Sequence, residues 1–382
     1  MMRRAKWALG IGACVVATLG AVAPASAHIW WTNQDSDSIG RARLSGEVAI
    51  RNFIATAQPA RGMAIDGQHV YWAQGSTNGS IGRALLNGTQ KQQGFIDTGR
   101  NTRGVALDSF GIYWSNLAAG AGAIGHASLD GSGVNPSLIA TSGPPCGVAV
   151  DPDKLYWSNS TNPGTVGRAH GPFDVEPDFI TAGGNPCGVA VTNHYIYWAN
   201  EAGGSIGRAS RDGSHVREHF ITAPGACGVA VNNSRIYWTS ANSNSIGTAK
   251  LDGSGVNPSL ISGALSPCGI AVDPTAAATP RSYSYPPTKV GGRGVIHAFV
   301  VTDTSSSVLD VRRLKIAGPN PSDFKKTGDG CTIVSTAAGG NCIFNLRFSP
   351  TAPGDRRATI QVISNASDSP KTITVTGIGI LP

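Results

Sequence analysis

The chain has 382 residues, with 30 Lys and Arg against 23 Asp and Glu, a charged fraction of 14% and 50 glycines. No run of Lys or Arg is dense enough for a nucleic-acid or membrane surface, and low charge with abundant glycine argues for tight turns over amphipathic helix. The length exceeds what one hydrophobic core usually spans, so more than one domain is expected.

In chain order, the first element is a leader. Arg3, Arg4 and Lys6 precede an apolar stretch over 7–22, and Ala25-Ser26-Ala27 supplies the small residues a signal peptidase needs. Residues 1–27 therefore read as a signal peptide, with the mature chain starting at His28. Ile11-Gly12-Ala13-Cys14 also resembles a lipoprotein cleavage box, which leaves a lipid anchor through Cys14 as the alternative. Beyond the leader no segment reaches the ~20 apolar residues a spanning helix needs. A soluble, secreted, extracellular protein is expected, and a monomer.

Three elements then recur six times each. Aromatic pairs stand at Trp30-Trp31, Tyr71-Trp72, Tyr113-Trp114, Tyr156-Trp157, Tyr197-Trp198 and Tyr237-Trp238. Between them run Ile39-Gly40-Arg41-Ala42, Ile81-Gly82-Arg83-Ala84, Ile124-Gly125-His126-Ala127, Val166-Gly167-Arg168-Ala169, Ile206-Gly207-Arg208-Ala209 and Ile246-Gly247-Thr248-Ala249. The third is a short apolar run after glycine, as in Gly62-Met63-Ala64-Ile65 and Gly147-Val148-Ala149-Val150. Steps of 40 to 43 residues match one four-stranded propeller blade. The apolar run lacks polar alternation, as a strand buried on both faces near the axis requires. Asp-Gly and Asn-Gly pairs after the third strand read as hairpin turns. The chain enters on an aromatic strand and leaves on an inner strand, 268–273. Docking the last beside the first closes the ring and removes the exposed edges.

Tyr-Trp-Ser/Thr-Asn, then Ile-Gly-Arg-Ala, then Leu-Asp-Gly resembles the YWTD repeat of the low-density-lipoprotein-receptor family over 28–273. The fourth motif position is usually Asn here where the receptors favour Asp. The resemblance implies an extracellular six-bladed propeller that binds proteins or packs against neighbouring domains.

The residue before each inner-strand glycine is Arg61, Arg103, Cys146, Cys187, Cys227 or Cys268. These six ring the channel mouth on the face that carries the loops 33–38, 74–80, 116–123, 159–165, 200–205 and 240–245. Three readings of the cysteines stand open: bridges Cys146–Cys187 and Cys227–Cys268 between adjacent blades, buried free thiols, or a thiolate metal site. Arg61 and Arg103 either pair internally or contact an anion, for which guanidinium suits carboxylate or phosphate. Asn33, Asn116, Asn159 and Asn200 belong to the same face and join the two arginines as expected ligand contacts. The recurring Arg41, Arg83, Arg168 and Arg208 read as a structural place in the blade.

Residues 274–288, rich in Pro, Ala, Ser and Tyr, read as a linker. Beyond it, 295–301, 308–316, 342–348, 358–364 and 371–377 read as short strands of an immunoglobulin-like β-sandwich over 289–382. Asp323-Phe324, Cys331, Asn341-Cys342, Phe348-Ser349-Pro350-Thr351, Gly354-Asp355-Arg356-Arg357-Ala358 and Thr376-Gly377-Ile378-Gly379 resemble the ASH-type, choice-of-anchor D domains of secreted bacterial proteins. That resemblance implies a spacer or interaction module. A disulfide Cys331–Cys342 is expected.

The fold class is thus all-β, a six-bladed propeller closed by both chain ends with a sandwich behind it. No nucleophile elbow, zinc-protease helix, Walker or dinucleotide motif occurs. Asn33-Gln34-Asp35-Ser36-Asp37 begins like a calcium loop, but the twelfth position from Asp35 is Gly46 rather than Glu. No metal, cofactor or nucleic acid is expected. The leading function is a secreted, non-catalytic binding or scaffolding module for an extracellular protein or cell-surface ligand. The alternative is an extracellular propeller enzyme, a lyase or lactonase with its site at the channel mouth.

Overall fold

The computed structural model describes residues 27–381, except 76–77, 109, 118–121, 152, 233, 274–275, 304–308, 333–334, 337–339, 365 and 367–368. The leader expected over 1–27, with its alternative at Cys14, lies outside the described residues apart from Ala27. No helix among the described residues is long and apolar enough to cross a membrane. The chain is all-β.

From His28 to Val272 the strands fall into four-stranded antiparallel sheets, the sheets of propeller blades. Five of them take consecutive strands, as in Ala60–Ile65, His69–Gln74, Ser80–Leu85 and Gln92–Asp97. The sixth joins the two ends of this region: Pro267–Val272 pairs with His28–Asn33, which continues to Ser38–Arg43 and Ile50–Ala55. Asp273 secures that joint. Its carboxylate accepts from the His28 backbone N–H at 2.9 Å and the Trp30 indole N–H at 2.6 Å, and lies 3.0 Å from His28 Nδ1.

Glycine sets both packing distances inside a blade. The second residue of each aromatic pair, always tryptophan, pairs across the ladder with the glycine of the third strand, as Trp31 with Gly40 and Trp198 with Gly207. The indole lies flat over that glycine, so a Cβ on Gly207 would stand 2.2 Å from Trp198 Cε2. Between blades, a Cβ on Gly147 would meet Cys187 O at 2.3 Å, and one on Gly269 would meet Arg61 O at 2.1 Å. The inner strands can approach this closely only without side chains there.

A second group of strands follows. Ala276–Thr279, Ile296–Asp303, Asn341–Phe348 and Phe324–Asp329 make one sheet. Ser282–Ser284, Lys371–Ile380, Gly354–Ser364 and Val311–Ala317 make the other, with Thr288–Lys289 added to Lys371–Ile380. They share a core of Phe299, Phe344, Phe348, Ile360, Val362, Ile373 and Val375. The linker reading of 274–288 is corrected. Ala276–Thr279 pairs with Ile296–Asp303, Ser282–Ser284 runs parallel to Lys371–Ile380, and the buried Tyr285 donates its hydroxyl to Leu346 O at 2.9 Å. Prolines and the shortness of these edge strands concealed them. The strand Phe324–Asp329 was likewise absent from the sequence reading, because Lys-Lys-Thr-Gly-Asp carries no apolar alternation.

Candidate functional site at the channel mouth

Every inner strand changes register with its aromatic partner just before the apolar run, for example between Pro145 and Val148 and between Ala226 and Val229. Such a break frees the intervening residues from the ladder and re-aims their side chains. Arg61, Arg103, Cys146, Cys187, Cys227 and Cys268 occupy these breaks. With Gln34 and Glu201 from the adjoining loops they line one cavity of about 230 Å³. Below it the channel narrows to about 80 Å³ between Met63, Val105, Val148, Val189, Val229 and Ile270.

Hydroxyls hold the breaks in place. Thr32 Oγ1 donates to Arg61 O at 2.6 Å and accepts from Gly269 N at 2.8 Å. Ser115 does the same between Cys146 O at 2.6 Å and Gly104 N at 2.7 Å. Ser158 joins Cys187 O to Gly147 N, and Thr239 joins Cys268 O to Gly228 N. Each hydroxyl ties its own blade's inner strand to the next blade's ring residue. The equivalent residues Ala73 and Ala199 have no hydroxyl. Sequence reasoning missed this relay, although its signal was there: a Ser or Thr directly after the tryptophan in four of six repeats.

The cysteines are bridged. Cys146 bonds Cys187 with Cα atoms 4.8 Å apart, and Cys227 bonds Cys268 at 4.9 Å. Each bridge staples neighbouring inner strands, and the free-thiol and thiolate-metal readings fall away. The Sγ atoms of Cys187, Cys227 and Cys268 lie within 4.8 Å of one another. As disulfide sulfurs they carry no thiolate to offer a cation. Cys331 bonds Cys342, Cα to Cα 5.0 Å.

Arg61 and Arg103 make no ion pair among the described residues. Burial holds the Arg61 guanidinium below its usual value, Arg103 pushes it the same way, and Glu201 opposes both. Arg103 Nη1 lies 3.9 Å from Cys146 Sγ, and its Nε is buried with no partner. Two like charges thus share a partly desolvated rim without a counter-ion in contact.

The four asparagines are corrected. Asn33, Asn116, Asn159 and Asn200 are at most 1% exposed and none lines the cavity. Their side-chain amides donate to carbonyls of the outermost strand of the same blade: Arg51 O, Pro136 O, Pro177 O and Glu218 O, at 2.7, 2.9, 2.9 and 3.1 Å. The sequence placed them on the right side of the blade, but strand twist turns them into the sheet rather than toward the axis. Gln34 and Glu201, one residue further along two of the same loops, reach the mouth instead.

No known family profile matches the chain, and no curated protein does. Among solved structures, a YWTD-type propeller from the nidogen/laminin complex matches 65% of this chain and 98% of its own length, at 21% identity and a TM-score of 0.55. That likeness shows the propeller fold. A gluconolactonase from Xanthomonas campestris is 15% identical over 56% of this chain and 84% of its own, with a TM-score of 0.42. The ASH/PapD-like domain of human CEP192 is 13% identical over 29% of this chain and 88% of its own, with a TM-score of 0.21. The last two are too distant to bear on activity or on the C-terminal fold.

Proposed function

We propose that the protein is a secreted binding module whose propeller mouth receives an anionic group of an extracellular partner. In this reading residues 28–273 form a six-bladed propeller closed by both chain ends, and residues 1–27 are a signal peptide. The second unit is an immunoglobulin-like spacer that starts at the strand Ala276–Thr279 rather than at 289. Three disulfides support an oxidising compartment. One observation carries the binding reading: Arg61 and Arg103 stand side by side in an open cavity with no carboxylate in contact. Paired guanidinium groups of this kind are under mutual repulsion that a carboxylate ligand would relieve. The described lining offers one carboxylate, Glu201, and no histidine. That set supports recognition over the metal-assisted hydrolysis of a lactonase-type reading.

The test is calorimetric titration of the purified chain with a glutamate-rich peptide. Arg61→Gln/Arg103→Gln is expected to weaken binding by about tenfold or more, and added salt to weaken it in the wild type. Equal affinity of wild type and double variant overturns the mouth as the site.

A further inference from the structure

We propose that Cys146–Cys187 is a thiol-exchange-active disulfide, selective for small thiols that carry a negative charge. The bond faces the mouth cavity, whose volume of about 230 Å³ admits a small thiol. Both residues are buried, Cys187 slightly less so, at 7% against 3% for Cys146. Cys146 Sγ has the guanidinium of Arg103 at 3.9 Å. A cation beside one sulfur stabilises it as the departing thiolate, so attack is directed at the other.

In the first step an external thiolate attacks Cys187 Sγ and the bond between the two cysteine sulfurs breaks. The electron pair leaves on Cys146 Sγ, beside Arg103, and the external sulfur remains on Cys187 as a mixed disulfide. A second thiol of the same kind then attacks that external sulfur and releases Cys187. Two external thiols become one external disulfide, two electrons pass to the protein, and the two protons end on Cys146 and Cys187. The reductant is therefore a small thiol, and no further reagent is needed. Arg61 and Arg103 on the same rim concentrate an anionic thiol over a neutral or cationic one. The other mouth bridge differs: among the described residues no guanidinium nitrogen contacts the sulfur of Cys227 or Cys268 as Arg103 contacts that of Cys146. Cys331–Cys342 lies in the second strand group, away from the cavity lining.

This inference shares the charged rim with the function proposed above, but the bond cleaved is scored separately from any partner bound. The full chain is treated with mercaptoacetate, 2-mercaptoethanol and cysteamine at equal thiolate concentration, quenched by alkylation and mapped by peptide mass spectrometry. Cys331–Cys342 in the same molecule serves as the reference for intrinsic reducing strength. The mixed disulfide is expected on Cys187. The rate ratio of mercaptoacetate to cysteamine at Cys146–Cys187 is expected to exceed that at Cys331–Cys342 by about tenfold. Arg103→Gln should collapse the excess, while Arg103→Lys, which restores the charge, should keep most of it. Equal ratios at the two bonds, a mixed disulfide on Cys146, or an unchanged excess in Arg103→Gln overturns the proposal. Loss of peptide binding at the mouth with this exchange pattern intact would sink only the partner reading.

Discussion

Arg41, Arg83, Arg168 and Arg208 lie over Phe53, Phe95, Phe179 and Phe220 of the fourth strand, 3.5 to 3.9 Å from the ring centroids. Three of them also reach the neighbouring blade: Arg41 donates to Leu86 O, Arg168 to Arg211 O and Arg208 to Leu251 O. Where the third strand has His126 or Thr248 instead, the fourth strand has Leu138 or Leu260 instead of phenylalanine. Arginine and ring therefore change together, because a planar cation needs a face to cover and leucine has none. A double-mutant cycle of Arg208→Ala and Phe220→Leu should return a coupling of about 0.5–2 kcal/mol in denaturant unfolding. Additive losses would mean that the stack contributes nothing beyond area. The structural place of these arginines was legible in their repetition. Their partners were not, since the phenylalanines lie 11 or 12 residues downstream across an irregular pairing.

At the scale of the strand, the aromatic pair and the glycine of the third strand form one device. The fully buried indole occupies the space a side chain on the facing residue would need. Gly207→Ala should lower stability by about 1–3 kcal/mol or more, read by thermal unfolding with tryptophan fluorescence. Gly94→Ala, where a Cβ would meet nothing within 4 Å, should stay within about 0.5 kcal/mol of the wild type. If the two variants behave alike, the indole contact is not what requires glycine. Strand number, order and period were all readable from the repeat, because every blade repeats one burial problem. The register breaks that aim the ring residues were not. They depend on how closely neighbouring inner strands approach, which no single repeat encodes.

For the molecule as a whole, the pairing of His28–Asn33 with Pro267–Val272 joins the two ends of the first strand group. Asp273 concentrates four contacts there: its backbone N–H donates to His28 O at 2.9 Å, and its side chain takes the three from His28 and Trp30. Asp273→Ala leaves buried donors unpaired and should destabilise by about 2–4 kcal/mol. Hydrogen exchange localises the effect: amides of Ile29–Asn33 should lose protection before those of the equivalent strand His69–Gln74. Uniform loss across all blades would show that the joint is not the weak point.

The sequence by itself determined the repeat, its period, the all-β character and the six residues that precede the inner-strand glycines, though not Gln34 and Glu201 beside them. Each follows from local patterning that recurs in register, and recurrence is visible in one dimension. Only the tertiary structure decided among the readings those residues left open. Whether Cys146 bonds Cys187, whether Arg61 and Arg103 find carboxylates, and whether Asn33 or Gln34 faces the axis all depend on distances between different blades. Those distances are set by glycine contacts and bulges whose combined effect appears only when the sheets are packed together. Residues 276–289 make the same point at the other end of the chain. Their strands have too little periodicity to announce themselves, and exist because Ile296–Asp303 and Lys371–Ile380 offer them edges to pair with.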